Sequence, residues 1–127
     1  MTDALVPVFD GHNDVLSRLM HEGRNGAEAR FLNGQDDVHI DLPRARKGGL
    51  RGGLCAVFVS TDNKDLDANG NLPPVPRDSA LDQTIAQAAL LRRIEAQSAG
   101  AFKVCTTAAA IRATMAAGDF AAVFHIE

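Results

Sequence analysis

VPVFDGHNDVL, residues 6–16, begins as an apolar run and then sets Asp10, His12, Asn13 and Asp14 almost side by side. The run Val6–Asp10 is rich in Val and Phe and reads as a strand. In an extended chain alternate residues point the same way, so His12 and Asp14 face one point and Asn13 turns away. One imidazole nitrogen and one carboxylate oxygen on the same side can share a Zn²⁺ or a similar ion. Asp10 has the same parity but lies deeper, where it packs or orients a ligand from behind. Taken alone, H-x-D is a weak signal that describes a polar strand end more often than half of a metal site.

Downstream, strands and helices alternate. A short helix over 14–21 follows the first strand, with Gly23 as its stop, and the polar, Gly-bearing stretch 23–38 reads as a loop. HIDLPRARKGG gives a second short helix, with Pro43 in its first turn and Gly48-Gly49 at its end. GGLCAVFVS, 52–60, is apolar almost throughout, as suits a parallel strand covered on both faces. Residues 61–77 are a loop rich in Asp, Asn and Pro. The clearest helix runs from about Ser79 to Ser98, with Leu81, Ile85, Ala88 and Leu91 on one arc as a core face and Leu90 and Ile94 on the other side. AFKVC, 101–105, is a short extended piece. A helix capped by Thr106 or Thr107 and stopped by Gly118 comes next, and FAAVFHIE is the last strand.

Such alternation implies an α/β fold with a parallel sheet and right-handed crossovers. In that arrangement the C-terminal ends of all strands share one face, and active sites are built there. His12 and Asp14 end the first strand and Glu127 ends the last, so the three can converge across more than a hundred residues. His125 shares the parity of Glu127 and either faces inward with it or fills the core. DLDANG, 65–70, imitates the opening of a calcium loop, but Pro76 stands where the bidentate Glu is required, so an Asx turn is expected. GGLRGG precedes a strand, the wrong order for cradling phosphate.

Bulk properties bound the rest. The chain has 127 residues, enough for about one domain, with 46% hydrophobic and 23% charged residues, so it is expected to fold rather than stay disordered. A net charge of -3 without a basic stripe points away from nucleic acid. No stretch approaches the roughly 18 apolar residues of a membrane span. The first nine residues carry no leader pattern, so a cytoplasmic location is expected. Cys55 and Cys105 lie in apolar strands and are expected to be buried free thiols. Ending at the tip of a core strand, the chain reads as the N-terminal piece of a longer protein.

DGHND at the first strand, HIDLPRARKGGLRGG before the second and a strand closing in IE resemble, in order and spacing, the membrane (renal) dipeptidase family of two-zinc peptidases. The resemblance covers essentially all of the chain and about the first third of a family member. It implies a (β/α)8 TIM-type barrel of the metal-dependent hydrolase superfamily, with residues 1–127 as the N-terminal part of one domain and about its first three strand–helix units. It implies His12 and Asp14 as ligands of one zinc and Glu127 as the catalytic carboxylate bridging two Zn²⁺. Two more His ligands, a substrate-binding His and a proton-handling Asp would lie beyond residue 127; His125 is outside the family's ligand pattern. The implied reaction is hydrolysis of a dipeptide by metal-activated water. Lacking a leader, the chain looks like the family's soluble bacterial members rather than the secreted, lipid-anchored mammalian ones. A homodimer is also implied, and the second apolar side of helix 79–98 is consistent with one. Two readings stand beside this one: a related metal-dependent amidohydrolase acting on another amide or ester, and a non-catalytic α/β fragment. One His and two carboxylates also suit Mn²⁺, Fe²⁺ or Co²⁺.

Overall fold

The computed structural model describes residues 5–61 and 64–127. In chain order the elements are β1 (Val8–Asn13), α1 (Val15–His21), α2 (Ala27–Asn33), α3 (Leu42–Gly48), β2 (Leu50–Val57), α4 (Arg77–Gln97), β3 (Phe102–Val104), α5 (Ala108–Ala116) and β4 (Phe120–Ile126). The strands form one sheet in the order β1-β2-β4-β3, and every pairing is parallel. The α/β class and parallel sheet read from the sequence are therefore present. The extended piece at 101–105 is a fourth strand: Phe102–Val104 pair with Phe120–Ala122 and cover only the first half of that edge of β4.

One sheet face carries the helices. Cys55, Val57, Phe120 and Ala122 join Leu16, Leu19, Phe31, Leu90, Leu91 and Ile94 in a single core. Alternation turns Ala56, Ala121, Val123 and His125 to the opposite face.

Helix α2 lies inside the stretch expected to be a loop. Its seven residues, AEARFLN, favour helix but are bracketed by Gly26 and Gly34, and the polar flanks hide them. Packing decides the matter: Phe31 is fully buried, with its ring edge-on to Phe102 at 5.3 Å and to Phe120 at 6.1 Å between centroids. Phe102 and Phe120 stack on each other. This aromatic trio fastens α2 to β3 and β4, which local propensity cannot report.

The buried stripe of α4 also differs from the expected one. Leu81 and Ile85 are exposed, whereas Gln87, Leu90, Leu91 and Ile94 are buried. The spacing 87, 90, 91, 94 is a regular helical stripe that admits one polar residue. Gln87 belongs there because its amide replaces a missing strand neighbour. Strand β2 stops at Val57, short of the expected Ser60, and the chain runs on along α4. Gln87 accepts the Phe58 N–H at 3.2 Å and donates to the Phe58 carbonyl at 2.7 Å. Gln83, one turn earlier, does the same for Ser60 at 3.0 and 2.8 Å. Two side-chain amides at i and i+4 thus satisfy the peptide groups of residues 58 and 60.

Helix α3 forms as expected. The Asp41 carboxylate caps it by accepting the Arg44 N–H at 2.8 Å, Pro43 sits in its first turn, and Gly49 closes it with φ 81°. The guanidinium of Arg44 pairs with Asp41 and also donates to the Val38 carbonyl. Burial pushes the Asp41 carboxyl up, but the Arg44 N–H and guanidinium outweigh it and hold it below its ordinary value of 3.8. Both cysteines are buried and free. In the segment expected to mimic a calcium loop, Asp67 accepts from the Asn69 and Asn71 N–H groups at 2.8 Å, an Asx turn. The surrounding loop includes Asp62 and Asn63, which lie outside the described residues. Among the described residues no helix is long and apolar enough to cross a membrane.

Two stability effects are expected. Gln87→Ala leaves both peptide groups of Phe58 without partners and should cost about 1–3 kcal/mol in urea unfolding. Asp41→Ala removes a cap and its ion pair and should cost about 2 kcal/mol at pH 7. Because the folded Asp41 binds its proton less tightly than the unfolded one, its contribution is full above pH 3.8 and fades as the pH falls through the lower folded value. The gap between Asp41→Ala and the parent should therefore narrow when unfolding is repeated near pH 3; an unchanged gap contradicts the assignment.

Candidate metal centre

Strand β1 does not alternate cleanly. Asp10 pairs with Gly53 of β2, but the next partners are Asn13 and Cys55, three steps on β1 against two on β2. The extra residue is a β-bulge at Gly11–His12. It changes the face assignments read from the sequence. Asp10 does not share a side with His12; it lies with Asn13 above Gly53, on the helix-covered face. Asp10 still serves His12, because its Oδ1 accepts the His12 backbone N–H at 3.3 Å.

His12 and Asp14 do meet, but not through the pleat. The strand extends past the expected Asp10 to Asn13, and Asp14 has left it, with φ −102° and ψ 27°. Asp14 occupies the cap position of α1 without its carboxylate capping anything. That duty falls to Asn13, whose Oδ1 accepts the Val15 N–H at 3.4 Å. The Asp14 carboxylate is thereby left for His12, at 3.4 Å from Oδ1 to Nε2.

Glu127 arrives from β4. Strand β4 pairs with β2 in register through Val57↔Ile126, and the Glu127 N–H continues the ladder to the Val57 carbonyl at 3.3 Å. Its Oε2 stands 3.6 Å from the same Nε2 of His12. Among the described residues, His12, Asp14 and Glu127 each offer a ligand atom within 4.8 Å of the others. The His125 ring lies edge-on to His12, 6.0 Å between centroids, so its parity with Glu127 holds. All three expected site residues converge at one end of the sheet.

The side chains are about half exposed, 44% for His12 and 47% for Asp14 and Glu127. Two carboxylates brought to one imidazole nitrogen repel each other, and a cation between them removes that repulsion. The spacing suits such a cation. Bonds of about 2.0–2.1 Å to a tetrahedral zinc place neighbouring donors about 3.3–3.4 Å apart. The two distances to Nε2, 3.4 and 3.6 Å, are close to that edge. The donor set of one nitrogen and two carboxylate oxygens therefore fits a divalent metal.

The residue of this segment whose contact sequence reasoning misses is Asn13. Strand alternation turns it away from the site, and it does face away, but into a buried position where it caps α1. The signal that could have found it is an Asn just before a helix start, the usual source of an Asx turn.

Comparison with known proteins places the chain in a family. Residues 3–127 match the family described as membrane dipeptidase (peptidase family M19). An uncharacterized protein from the PQQ-III 3' region of Acinetobacter calcoaceticus is 31% identical over 96% of this chain and 40% of its own length. A crystal structure of a metallopeptidase from Rhodobacter sphaeroides, liganded with a phosphinate mimic of the dipeptide L-Ala-D-Ala, superposes with a TM-score of 0.85 at 33% identity. It covers 98% of this chain, which spans 38% of that one. A second structure, of the dipeptidase AC, a metallopeptidase of family M19, gives a TM-score of 0.82 at 39% identity, over 98% of this chain and 36% of its own. The chain thus spans well under half the length of these relatives.

The bulge makes a contrast between two glycines. A Cβ on Gly53 would stand 2.9 Å from Asn13 Nδ2 and 3.0 Å from the Asp10 Cβ, whereas one on Gly11 meets nothing within 4 Å. Gly53→Ala should cost about 1–3 kcal/mol in thermal or urea unfolding, and Gly11→Ala less than about 0.5 kcal/mol. Equal effects at the two positions would contradict the bulged register of β1 on β2.

Proposed function

The chain belongs to the membrane dipeptidase family, and from that premise we propose that the intact protein is a zinc-dependent dipeptidase whose metal site is begun by His12, Asp14 and Glu127. The observation that carries this reading is the convergence of one imidazole nitrogen and two carboxylates from opposite ends of the sequence within 4.8 Å. The relative from Rhodobacter sphaeroides holds a mimic of L-Ala-D-Ala, which supports a dipeptide substrate for this protein too, with a D-residue accepted at the second position.

The metal would supply Lewis acidity toward the peptide carbonyl and a water ionised near neutral pH. The chain's own residues supply position. His12 presents Nε2 to both carboxylates, and its backbone is held by Asp10. Asp14 gives up capping and keeps an oxygen for the ion. Glu127 offers Oε2 beside His12, and its second carboxylate oxygen would be available to a second ion, a role that a neutral imidazole, with a single lone pair to give, would not simply replace. Two zincs per site is the stoichiometry we infer from the family resemblance, with these three residues supplying part of the ligand set.

Glu127→Ala in the intact protein should lose at least one zinc per subunit and nearly all hydrolysis of L-Ala-D-Ala. Metal analysis after gel filtration, together with a ninhydrin assay for released alanine, checks both. Full zinc content with full turnover in that variant would overturn the proposal.

A further inference from the structure

We propose that Asn13 is the positioning residue of this metal centre: its buried side-chain amide sets the angle between His12 and Asp14 and so the affinity of the ion they hold. The inference rests on the metal-site reading above and names a residue that reading does not use.

Asn13 stands between the two proposed ligands yet touches neither with its side chain. It is only 5% exposed, on the helix face of the sheet, while His12 and Asp14 are half exposed on the side of Glu127. Its Oδ1 closes a turn on the Val15 N–H. That contact fixes the orientation of the amide, because exchanging O and N would set a donor against a donor. The turn also fixes the chain at Asp14, between the end of β1 and the start of α1. With the turn closed, Asp14 sits at φ −102° and ψ 27°, and its carboxylate lies 3.4 Å from His12 Nε2. An extended backbone at Asp14 would carry its carboxylate onward along the strand.

The cost of this arrangement is visible. Asn13 Nδ2 is buried with no close hydrogen bond, facing only the weakly accepting sulfur of Cys55. A buried amide donor so weakly paired is unfavourable, and an apolar side chain would avoid it. The space that admits the amide exists only because position 53 has no side chain: a Cβ there would sit 2.9 Å from Nδ2. Strand β2 thus keeps a glycine, and the core tolerates a weakly paired donor, in the arrangement where one oxygen holds the Val15 N–H. Holding the two proposed ligands at a fixed angle calls for that oxygen.

The test is Zn²⁺ affinity of the intact protein, measured by chelator competition on the metal-free form, alongside turnover. Asn13→Ala should weaken zinc binding about tenfold or more, in the range seen when groups behind a ligand are removed. Asn13→Ser, whose hydroxyl can accept the same N–H, should recover part of that loss. Ile94→Ala, a core truncation on α4 distant in sequence from the site, should lower unfolding stability without moving zinc affinity. His12→Ala keeps the two readings apart. If His12→Ala binds zinc as the parent does, the metal site itself is wrong. If His12→Ala loses zinc while folded Asn13→Ala binds it with parental affinity, the metal site stands and the positioning role falls. Should Asn13→Ala fail to fold, Asn13→Leu, of similar size but unable to accept the Val15 N–H, decides: weakened affinity supports the proposal, and parental affinity overturns it.

Discussion

The close approach of three strands around Gly52 and Gly53 is the constraint on which the rest depends. A Cβ on Gly52 would stand 2.5 Å from the Ala121 carbonyl oxygen, a backbone atom that cannot swing aside. The next residue lies against Asp10 and Asn13 on the other neighbour. Gly52 and Gly53 therefore let β1 and β4 lie close on either side of β2, with β4 in continuous register and β1 shifted by the bulge. That register sets the ends of β1 and β4 level, bringing His12 and Asp14 to the height of Glu127. Larger residues at positions 52 and 53 would separate His12 and Asp14 from Glu127 without any change at those three residues.

Much of this is legible in the sequence, and the parts that are not share a cause. Strands β2 and β4, helix α4 and the capped ends of α3 and α5 follow from local signals: apolar runs, Asp41 and Thr107 as caps, and glycines at the helix ends. Local signals fail where a distant partner decides. Helix α2 exists because Phe31 reaches Phe102 and Phe120, about seventy and ninety residues away. The inward stripe of α4 runs through Gln87 because a stretch of backbone at Phe58 needs an amide, and hydrophobicity alone points to Leu81 and Ile85 instead.

The site shows the same limit in miniature. Strict alternation brings His12 and Asp14 together, and the two do meet, but the bulge removes the reason it gives. The residues that meet do so because the strand is interrupted at Gly11–His12 and because Asn13 bends the chain at Asp14. Pairing across a bulge is invisible to a period-two rule. Identifying Glu127 is easier, since its position depends only on parallel strands ending on one face, a property of the fold class.

The sheet also separates two chemistries by face. The helix side holds nearly all of the buried apolar surface, and with it the Cys55 thiol, which burial pushes up to about 12. A thiolate is a strong zinc ligand, and one within reach of His12 would compete with the carboxylates. Alternation puts Cys55 on the far side of the sheet from His12, and burial keeps it protonated there. The donor set left on the open face is then one imidazole and two carboxylates. Such a set binds a divalent ion less tightly than thiolates do and leaves it more Lewis-acidic, which is what hydrolysis requires of a metal and structural zinc does not. The bulge at Gly11–His12 therefore does more than orient one side chain: it keeps Asp10 and Asn13 beside the sulfur and turns His12 to the face it shares with Glu127.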